Sequence, residues 1–416
     1  MFTPHVRPAR QRHAGRRSLA ARAATVAATV LALVLTLPGA AAAAPGGLDV
    51  TFSGDGKALT DIADDDRADD VAVQSDGKIV SVGATVDEAA VESRFALTRH
   101  NPDGTLDTGF GVDGTVTTAV NNMGPSLQWS EAHAVALQAD GKIVVAGSSW
   151  RDYEDCCWFV VARYNSDGTL DDSFSGDGRV FADFDGPTEA LDVAVDPGGR
   201  IVAAGYSGGQ TAVLRLTGNG VPDATFGGDG TVTANPAGPV PQEGGDGRAL
   251  ALQPDGKIVV GGQVGSTRFD FALMRFNTNG SVDTSFDGDG IVRTDFGDYE
   301  SVEGLALQPD GKIVAAGGSG ARFALARYLP NGALDTGFDG NGRVITPGGG
   351  AADVKLQPGD GRIVVAGNNG TGGDLAVRRY NPDGSQDTGF GVGGLATADF
   401  GGADAARGGA LPTDGK

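Results

Sequence analysis

Polar and apolar residues alternate along this chain in short bursts, and the bursts return in one order from end to end. In one unit, an apolar segment at 71–74 meets the polar turn Ser75-Asp76-Gly77-Lys78, and a nearly continuous apolar run at 79–82 ends on Gly83. A loop of variable length leads to an alternating segment at 95–99, the turn Asn101-Pro102-Asp103-Gly104, the stretch Leu106-Asp107-Thr108-Gly109-Phe110, and a last segment at 115–118. A period of two predicts a half-buried strand, and a continuous apolar run of this length predicts a strand covered on both faces. The turns predict hairpins. In Gln308-Pro309-Asp310-Gly311-Lys312, Pro presets the second turn position, Asp suits the third, and Gly supplies the positive φ from which the next strand resumes. No segment after residue 44 carries a 3.6-residue helical period.

The unit repeats. Phe52, Phe110, Phe174, Phe226, Phe286, Phe338 and Phe390 follow one another at intervals of 58, 64, 52, 60, 52 and 52 residues. A period of this size marks a stack or ring of similar units. Four antiparallel strands per unit, one of them sandwiched, are the make-up of a β-propeller blade. The expected class is therefore all-β: a propeller of four-stranded antiparallel blades, six complete, plus parts of a seventh. Those parts are an outer strand near 48–60 and an inner strand just before Thr413-Asp414-Gly415-Lys416. In other units an Ile-Val-Val-Ala-Gly strand follows that lysine, so about 20 further residues are expected to complete the seventh blade. The whole of 45–416 then forms one repeat domain.

Seven Asp-to-Phe pairs, from Asp49 and Phe52 to Asp387 and Phe390, and seven turns of the Gln-Pro-Asp-Gly-Lys kind carry a resemblance. From about Gly47 onward the chain resembles the delta-60 repeat, a bacterial family of predicted β-propeller repeats. Two turns depart from that pattern: Asp196-Pro197-Gly198-Gly199-Arg200 lacks the Gln, and Gln357-Pro358-Gly359-Asp360-Gly361-Arg362 carries an extra residue. The resemblance implies a fold and no established activity.

Composition changes the picture at the N-terminus. Residues 1–44 hold six arginines and no acid, then an apolar run from Ala23 to Leu37, then small residues. That order predicts a secretory signal peptide cleaved near Ala43 or Ala44, too short and wrongly flanked for a stable membrane span. Arg16-Arg17-Ser18-Leu19 resembles a twin-arginine signal with departing flanks, which leaves the export route open. Beyond residue 44 the chain carries 26 Lys and Arg against 53 Asp and Glu, a formal charge of −27. Such a surface excludes nucleic acid as a natural partner and suits solubility outside the cell. The expected product is secreted, not inserted in a membrane, and monomeric when full length.

Strand parity puts the first and third connections of every blade on one face, where lengths are constant, and the variable second and fourth connections on the other. Variable loops on a rigid scaffold are where binding concentrates. The longest come from the second unit and hold Trp129, Trp150, Tyr153, Cys156 and Cys157. Exposed aromatics there could stack on a sugar or anchor a protein, and packing on one another is the competing reading. Cys156 and Cys157 could form a vicinal disulfide, strained because adjacent Cα atoms lie only about 3.8 Å apart, or stand as two thiols. The turns after the third strands resemble half of an Asp-rich calcium loop, but Arg275 and Arg327 stand where the first donor would be. The expected role there is structural, Arg275 pairing with Asp283 and Arg327 with Asp335, with no cofactor; calcium is the lesser alternative.

Gly205-Tyr206-Ser207-Gly208-Gly209 matches a nucleophile elbow by letters but lacks the strand-to-helix context, and no catalytic residue is identified. His100 stands where other units have Tyr or Phe, so packing is its expected role. The leading expectation is a binding scaffold for an extracellular glycan or protein. The alternatives are an extracellular enzyme with acidic residues at the mouth of the central channel, and a purely structural surface protein.

Overall fold

The computed structural model describes residues 45–90, 92–120, 129–150, 157–238, 244–370, 373–402 and 404–411. The expected signal peptide, Tyr153 and Cys156 lie outside them. The described residues build six antiparallel sheets of four strands each, every sheet made of four strands consecutive in the chain. In blade 1 these are Asp65–Val73, Ile79–Asp87, Glu92–His100 and Thr115–Thr118. Blades 2 to 6 span 129–182, 188–234, 244–294, 300–347 and 350–398. First strands of successive blades contact one another and surround a central channel, so the protein is a six-bladed β-propeller.

The turns form as the sequence predicts. Gly311 has φ +83°, its N–H donates to Gln308 O at 2.9 Å, and Gln308 N–H donates to Lys312 O at 2.8 Å. One expectation shifts: the first strand of blade 1 begins at Asp65, six residues before the apolar signal at Val71. The polar run 65–70 carries no strand pattern in its side chains because it borders the channel.

Blades pack face to face through apolar clusters. Phe159, Val161 and Phe174 of blade 2, for example, meet Ala190, Val193 and Ile201 of blade 3. A fully buried Phe contributes on the order of 2–3 kcal/mol, and each of the seven repeat phenylalanines, Phe52 to Phe390, is at most 1 % exposed. The arginine near the end of the third strand locks each corner. Arg275 Nε donates to Asp283 Oδ2 at 2.7 Å and Arg327 Nε to Asp335 Oδ2 at 2.8 Å. Each guanidinium also lies over the repeat phenylalanine, 4.4 Å from the Phe286 ring and 4.6 Å from Phe338, and reaches a carbonyl of the next blade, Pro330 O or Pro382 O.

Two stretches outside the six sheets, 45–62 and 404–411, lie between blade 6 and blade 1. Leu48 and Leu411 pack on the blade 6 cluster, while Phe52, Ala58 and Ala410 pack on Val71 and Ile79 of blade 1. No seventh sheet is present among the described residues. On the constant-loop face seven backbone hydrogen bonds nevertheless link the residue after each repeat phenylalanine to the following unit. They run from Ser53 N–H to Asp103 O through to Gly391 N–H, which donates to Pro45 O at 2.7 Å. The circle is closed.

Candidate functional site: the central channel

The channel is built by one backbone device used six times. Each first strand breaks register against the second by one residue, at Asp69, His133, Leu191, Arg248, Glu303 and Ala352. A β-bulge of this kind re-aims a side chain. The glycine opposite makes room for it: a Cβ on Gly317 would stand 1.8 Å from Ser301 O, and one on Gly83 1.9 Å from Arg67 O. That requirement explains why every second strand carries glycine at this position. The bulged residues all line one cavity of about 260 Å³ at the centre of the ring.

Toward the variable-loop face the cavity is ringed by alternating charges. Arg67 Nη2 lies 2.6 Å from Glu131 Oε2 and 2.8 Å from Asp69 Oδ2, joining blade 1 to blade 2. Arg248 spans Asp246 at 3.0 Å and Glu303 at 3.3 Å, joining blade 4 to blade 5. Arg407 Nη1 approaches Asp69 Oδ1 at 3.4 Å, and His133 places Nδ1 3.7 Å from Asp69 Oδ2 with Nε2 3.1 Å from Ser148 Oγ. Burial alone would raise the Asp69 carboxyl; the neighbouring His133 ring and the Arg67 charge outweigh it and hold the group below its ordinary value.

Deeper in, the residue after the bulge is Asp in blades 1, 3 and 6 and small in blades 2, 4 and 5. Each Asp reaches the next strand round the ring. Asp70 Oδ2 accepts Val135 N–H at 2.9 Å, Asp192 Oδ2 accepts Leu250 N–H at 2.6 Å, and Asp353 Oδ2 accepts Gly409 N–H at 2.9 Å. Lys355 is the odd residue: its position is alanine in the other five blades (72, 136, 194, 251 and 306). Its Nζ sits 2.7 and 2.5 Å from the two oxygens of Asp353. Burial works to lower the Lys355 pKa, but the charges of Asp353, Asp70 and Asp192 raise it above the ordinary value. Burial pushes the Asp70 and Asp192 carboxyls up to about 7, against the pull of Lys355 on Asp70 and of the Leu250 N–H on Asp192. The site is thus a water-accessible tunnel with three carboxylates and one ammonium at its core. Arg248 and Arg407 line the same cavity, so both signs of charge face it.

The residues singled out in the sequence fall at its edge or elsewhere. Trp129 and Trp150 form a cross-strand pair at the start of the first strand and the end of the second strand of blade 2, their rings 6.4 Å apart and within 12° of parallel. They stack on each other, two residues from Glu131 of the charged ring. Cys157 Sγ lies 4.0 Å from Glu189 Oε1. His100 is buried and its Nε2 lies 3.2 Å from Thr60 Oγ1, as a packing residue would. Asp70, Asp192, Asp353 and Lys355 were not singled out, because each looks like one polar residue before an apolar strand. Aligning the six units on their glycines would have exposed the column.

Among the described residues, acidic trios close enough to share an ion lie outside the channel, at two blade junctions.

No curated protein matches the sequence. Among solved structures, a protein from Lactobacillus plantarum aligns at 15 % identity and TM-score 0.38 over 77 % of this chain and 99 % of its own. Virginiamycin B lyase from Staphylococcus aureus aligns at 9 % identity and TM-score 0.41, covering 76 % of this chain and 84 % of its own. A protein of unknown function from Dyadobacter fermentans aligns at 16 % identity and TM-score 0.40, over 65 % and 84 %. Six segments of the chain, 74–110, 138–174, 197–226, 253–286, 308–338 and 359–390, one in each blade, match the model of the family described as a domain of unknown function (DUF5122) beta-propeller.

Proposed function

We propose that this propeller is a secreted binding protein that holds an extracellular glycan or protein on its variable-loop face, with a hydroxyl-rich or basic group of the ligand entering the central channel. The observation that carries the reading is Lys355 among Asp70, Asp192 and Asp353: one blade replaces a channel alanine with a lysine whose ammonium is held by Asp353. A lysine inside a ring serves poorly as packing, since its ammonium must be kept solvated or paired. The Trp129–Trp150 stack stands beside the mouth and offers an outer aromatic face for the same ligand. Export rests on the order of charge and hydropathy in residues 1–44. N-terminal sequencing of the protein from culture medium is expected to begin near Pro45.

The two unpaired stretches belong to the same proposal. We read 48–60 as the outer and 404–411 as the inner strand of a seventh blade of the delta-60 kind. Thr60 meets His100 as Thr294 Oγ1 meets Tyr328 Oη of the following blade at 2.8 Å, and Gly409 meets Asp353 as Leu250 meets Asp192.

The test is binding of the purified chain to an extracellular glycan array and to immobilised secreted proteins, repeated with Lys355→Ala and Trp150→Ala. A ligand whose affinity falls at least about tenfold, roughly 1.4 kcal/mol, in Lys355→Ala supports the channel reading. Equal binding by wild type and both variants overturns it. One observation favours a second reading: carboxyls with pKa near 7 are suited to general acid chemistry. Turnover that survives Trp150→Ala and is lost in Asp192→Asn would establish an enzyme instead.

A further inference from the structure

Three acidic side chains meet at the junction of blades 4 and 5, among the variable loops. Asp270 stands one residue before Phe271 in the third strand of blade 4, Asp295 follows Thr294 at the end of its fourth strand, and Glu300 opens the first strand of blade 5. One carboxylate oxygen from each lies within 4.8 Å of the other two. Asp374, Asp399 and Asp404 repeat the arrangement between blade 6 and the 404–411 stretch, again within 4.8 Å. The two trios occupy the same places in the repeat, since Phe271 pairs with Thr294 as Leu375 pairs with Ala398.

The buried member of each trio points to a ligand. Glu300 is 2 % exposed and Asp404 1 %. Each satisfies one oxygen. Glu300 Oε1 accepts Asp298 N–H at 2.5 Å and Ser319 Oγ–H at 3.2 Å, the Phe296 N–H also donates to the Glu300 carboxyl, and Asp404 Oδ2 accepts Phe400 N–H at 2.7 Å. The second oxygen, Glu300 Oε2 or Asp404 Oδ1, is buried with no hydrogen-bond partner. Leaving a charged acceptor buried and unpaired costs about 1–3 kcal/mol or more, and two further carboxylates beside it add repulsion. Three cations near the trios engage other groups. Arg343 Nη1 and Lys57 Nζ each donate at 2.7 Å to main-chain carbonyls, of Asp295 and Asp399, and Arg322 Nη2 stands 3.5 Å from Asp298. Asp374 Oδ2 accepts Asn369 Nδ2–H at 2.8 Å.

Before blade 1 the last two places are also acidic, Asp61 and Asp66, and Asp66 Oδ1 is likewise buried without a hydrogen-bond partner, but no described residue fills the first place. The four remaining junctions supply the control. The three positions read Arg94, Ala119 and Ser130 between blades 1 and 2, Trp158, Asp183 and Thr188 between 2 and 3, Gln210, Asn235 and Gly245 between 3 and 4, and Arg322, Pro347 and Gly349 between 5 and 6. A capping role for one acid would not make all three positions acidic together at two junctions and at most one of them acidic at these four.

We infer that Asp270, Asp295 and Glu300, and likewise Asp374, Asp399 and Asp404, are two equivalent calcium sites that tie neighbouring elements of the ring together on the variable-loop face. Oxygens on opposite sides of a calcium ion with bonds near 2.4 Å stand about 4.8 Å apart, so three oxygens within 4.8 Å of one another can share one ion. Three carboxylates supply three to six of the six to eight oxygens calcium takes, and the exposed Asp295 and Asp399 leave the remaining positions to water. The inference stands apart from the channel reading and survives its failure.

The experiment is calcium titration of the full-length chain, stripped with chelator, followed by calorimetry and thermal unfolding. Two ions per chain are expected, bound in the range of about 0.1–1 mM known for extracellular calcium modules, with a rise in melting temperature. Asp295→Asn and Asp399→Asn, both at exposed positions, are each expected to remove one ion, and the pair to remove both along with the calcium-dependent rise. Glu300→Gln is expected to behave as Asp295→Asn; should it not fold, the two exposed variants carry the test alone. Absence of binding at about 10 mM calcium overturns the inference, as does uptake that the Asp295 and Asp399 variants leave unchanged, which would be diffuse attraction to an acidic surface.

Discussion

Replacing Arg275 with Met tests whether the corners hold the ring together. The arginine is 6 % exposed, and it makes four contacts at once. It donates to Asp283 Oδ2 at 2.7 Å, to Pro330 O of blade 5 at 2.5 Å and to Ser285 Oγ at 3.2 Å, and it covers the Phe286 ring at 4.4 Å. Met keeps the length of the stem and loses every polar contact. Removing one partner of a buried pair costs about 3–5 kcal/mol. Lys257 Nζ, 2.8 Å from Asp283 Oδ2, stays behind and spares the carboxylate from isolation. Against that, Pro330 O loses its donor, a cost of about 1–3 kcal/mol if no water reaches it. The corner lies near the surface, so the expected loss is at the lower end, about 3 kcal/mol, read as a shift in the denaturant midpoint. The pH dependence gives a second reading. Burial works to raise the Asp283 carboxyl, but hydrogen bonds from Lys257 and Ser285 and the Arg275 charge hold it well below the carboxylate range. A depressed acid contributes stability above its unfolded pKa, near 3.9, and loses it as pH falls toward the folded value. The gap between wild type and Arg275→Met is therefore expected to be full at pH 7 and to narrow below pH about 4. A loss under about 1 kcal/mol at pH 7, the worth of an exposed ion pair, would refute the reasoning.

Two further outcomes follow from the blade contacts and the channel. Thr294→Val should strand the buried Tyr328 hydroxyl and cost about 1–3 kcal/mol. Adding Tyr328→Phe should recover most of it, since Ala234 beside Phe276 and Ala182 beside Leu216 already fill the equivalent places without polar groups; a double-mutant cycle with no coupling would contradict this. In the channel, Asp70 and Asp192 have carboxyls raised to about 7. A raised acid binds its proton in the folded state where the unfolded chain has released it, so stability falls as pH climbs from about 4 to about 7. Asp192→Asn should flatten that part of the melting-temperature profile, and an unchanged slope would count against the burial of this group.

How much of this was legible in the sequence depended on whether a residue's neighbours in space were also its neighbours in the chain. The hairpin turns were readable because Gln308 to Lys312 contain their own hydrogen bonds, and the Arg275–Asp283 corner because only the seven residues of a fixed turn separate the two. The channel was not. Asp69 and Asp70 lie in a polar run whose strand character comes from pairing with Thr85, Ala84 and Gly83, and nothing in its own alternation shows that. The glycine of each second strand was visible as a repeat, but its reason, a carbonyl of the first strand within 2.1 Å of any added Cβ at Gly147 or Gly262, is a contact across strands. The stacking of Trp129 on Trp150 was open in the sequence, where mutual packing and a binding surface were both readable. The acidic trios draw one residue from a third strand, one from the end of a fourth and one from the next blade, and only the repeat register brings them into a column.

The two faces of the ring divide the labour, and that division bears on where a ligand can bind without cost to the fold. The seven backbone bonds made by the residues after the repeat phenylalanines, and the guanidinium contacts of Arg99, Arg163, Arg215, Arg275 and Arg327 to carbonyls of the following unit, lie on the constant-loop face. Loops of the variable face take no part in that circle, so they are free to differ in length and sequence, as loops that carry recognition do. Where they do join neighbours, they use contacts that differ from junction to junction, such as Gly245 N–H donating to Gly209 O at 2.9 Å, Tyr299 Oη donating to Thr267 O at 2.6 Å, and the Glu300 trio beside it. Ligand or ion binding at such a junction stiffens one blade contact and leaves the closed circle on the opposite face untouched. Substitutions in the channel mouth and at the trios are therefore expected to change binding with the ring intact, whereas those at the arginine corners change the ring itself.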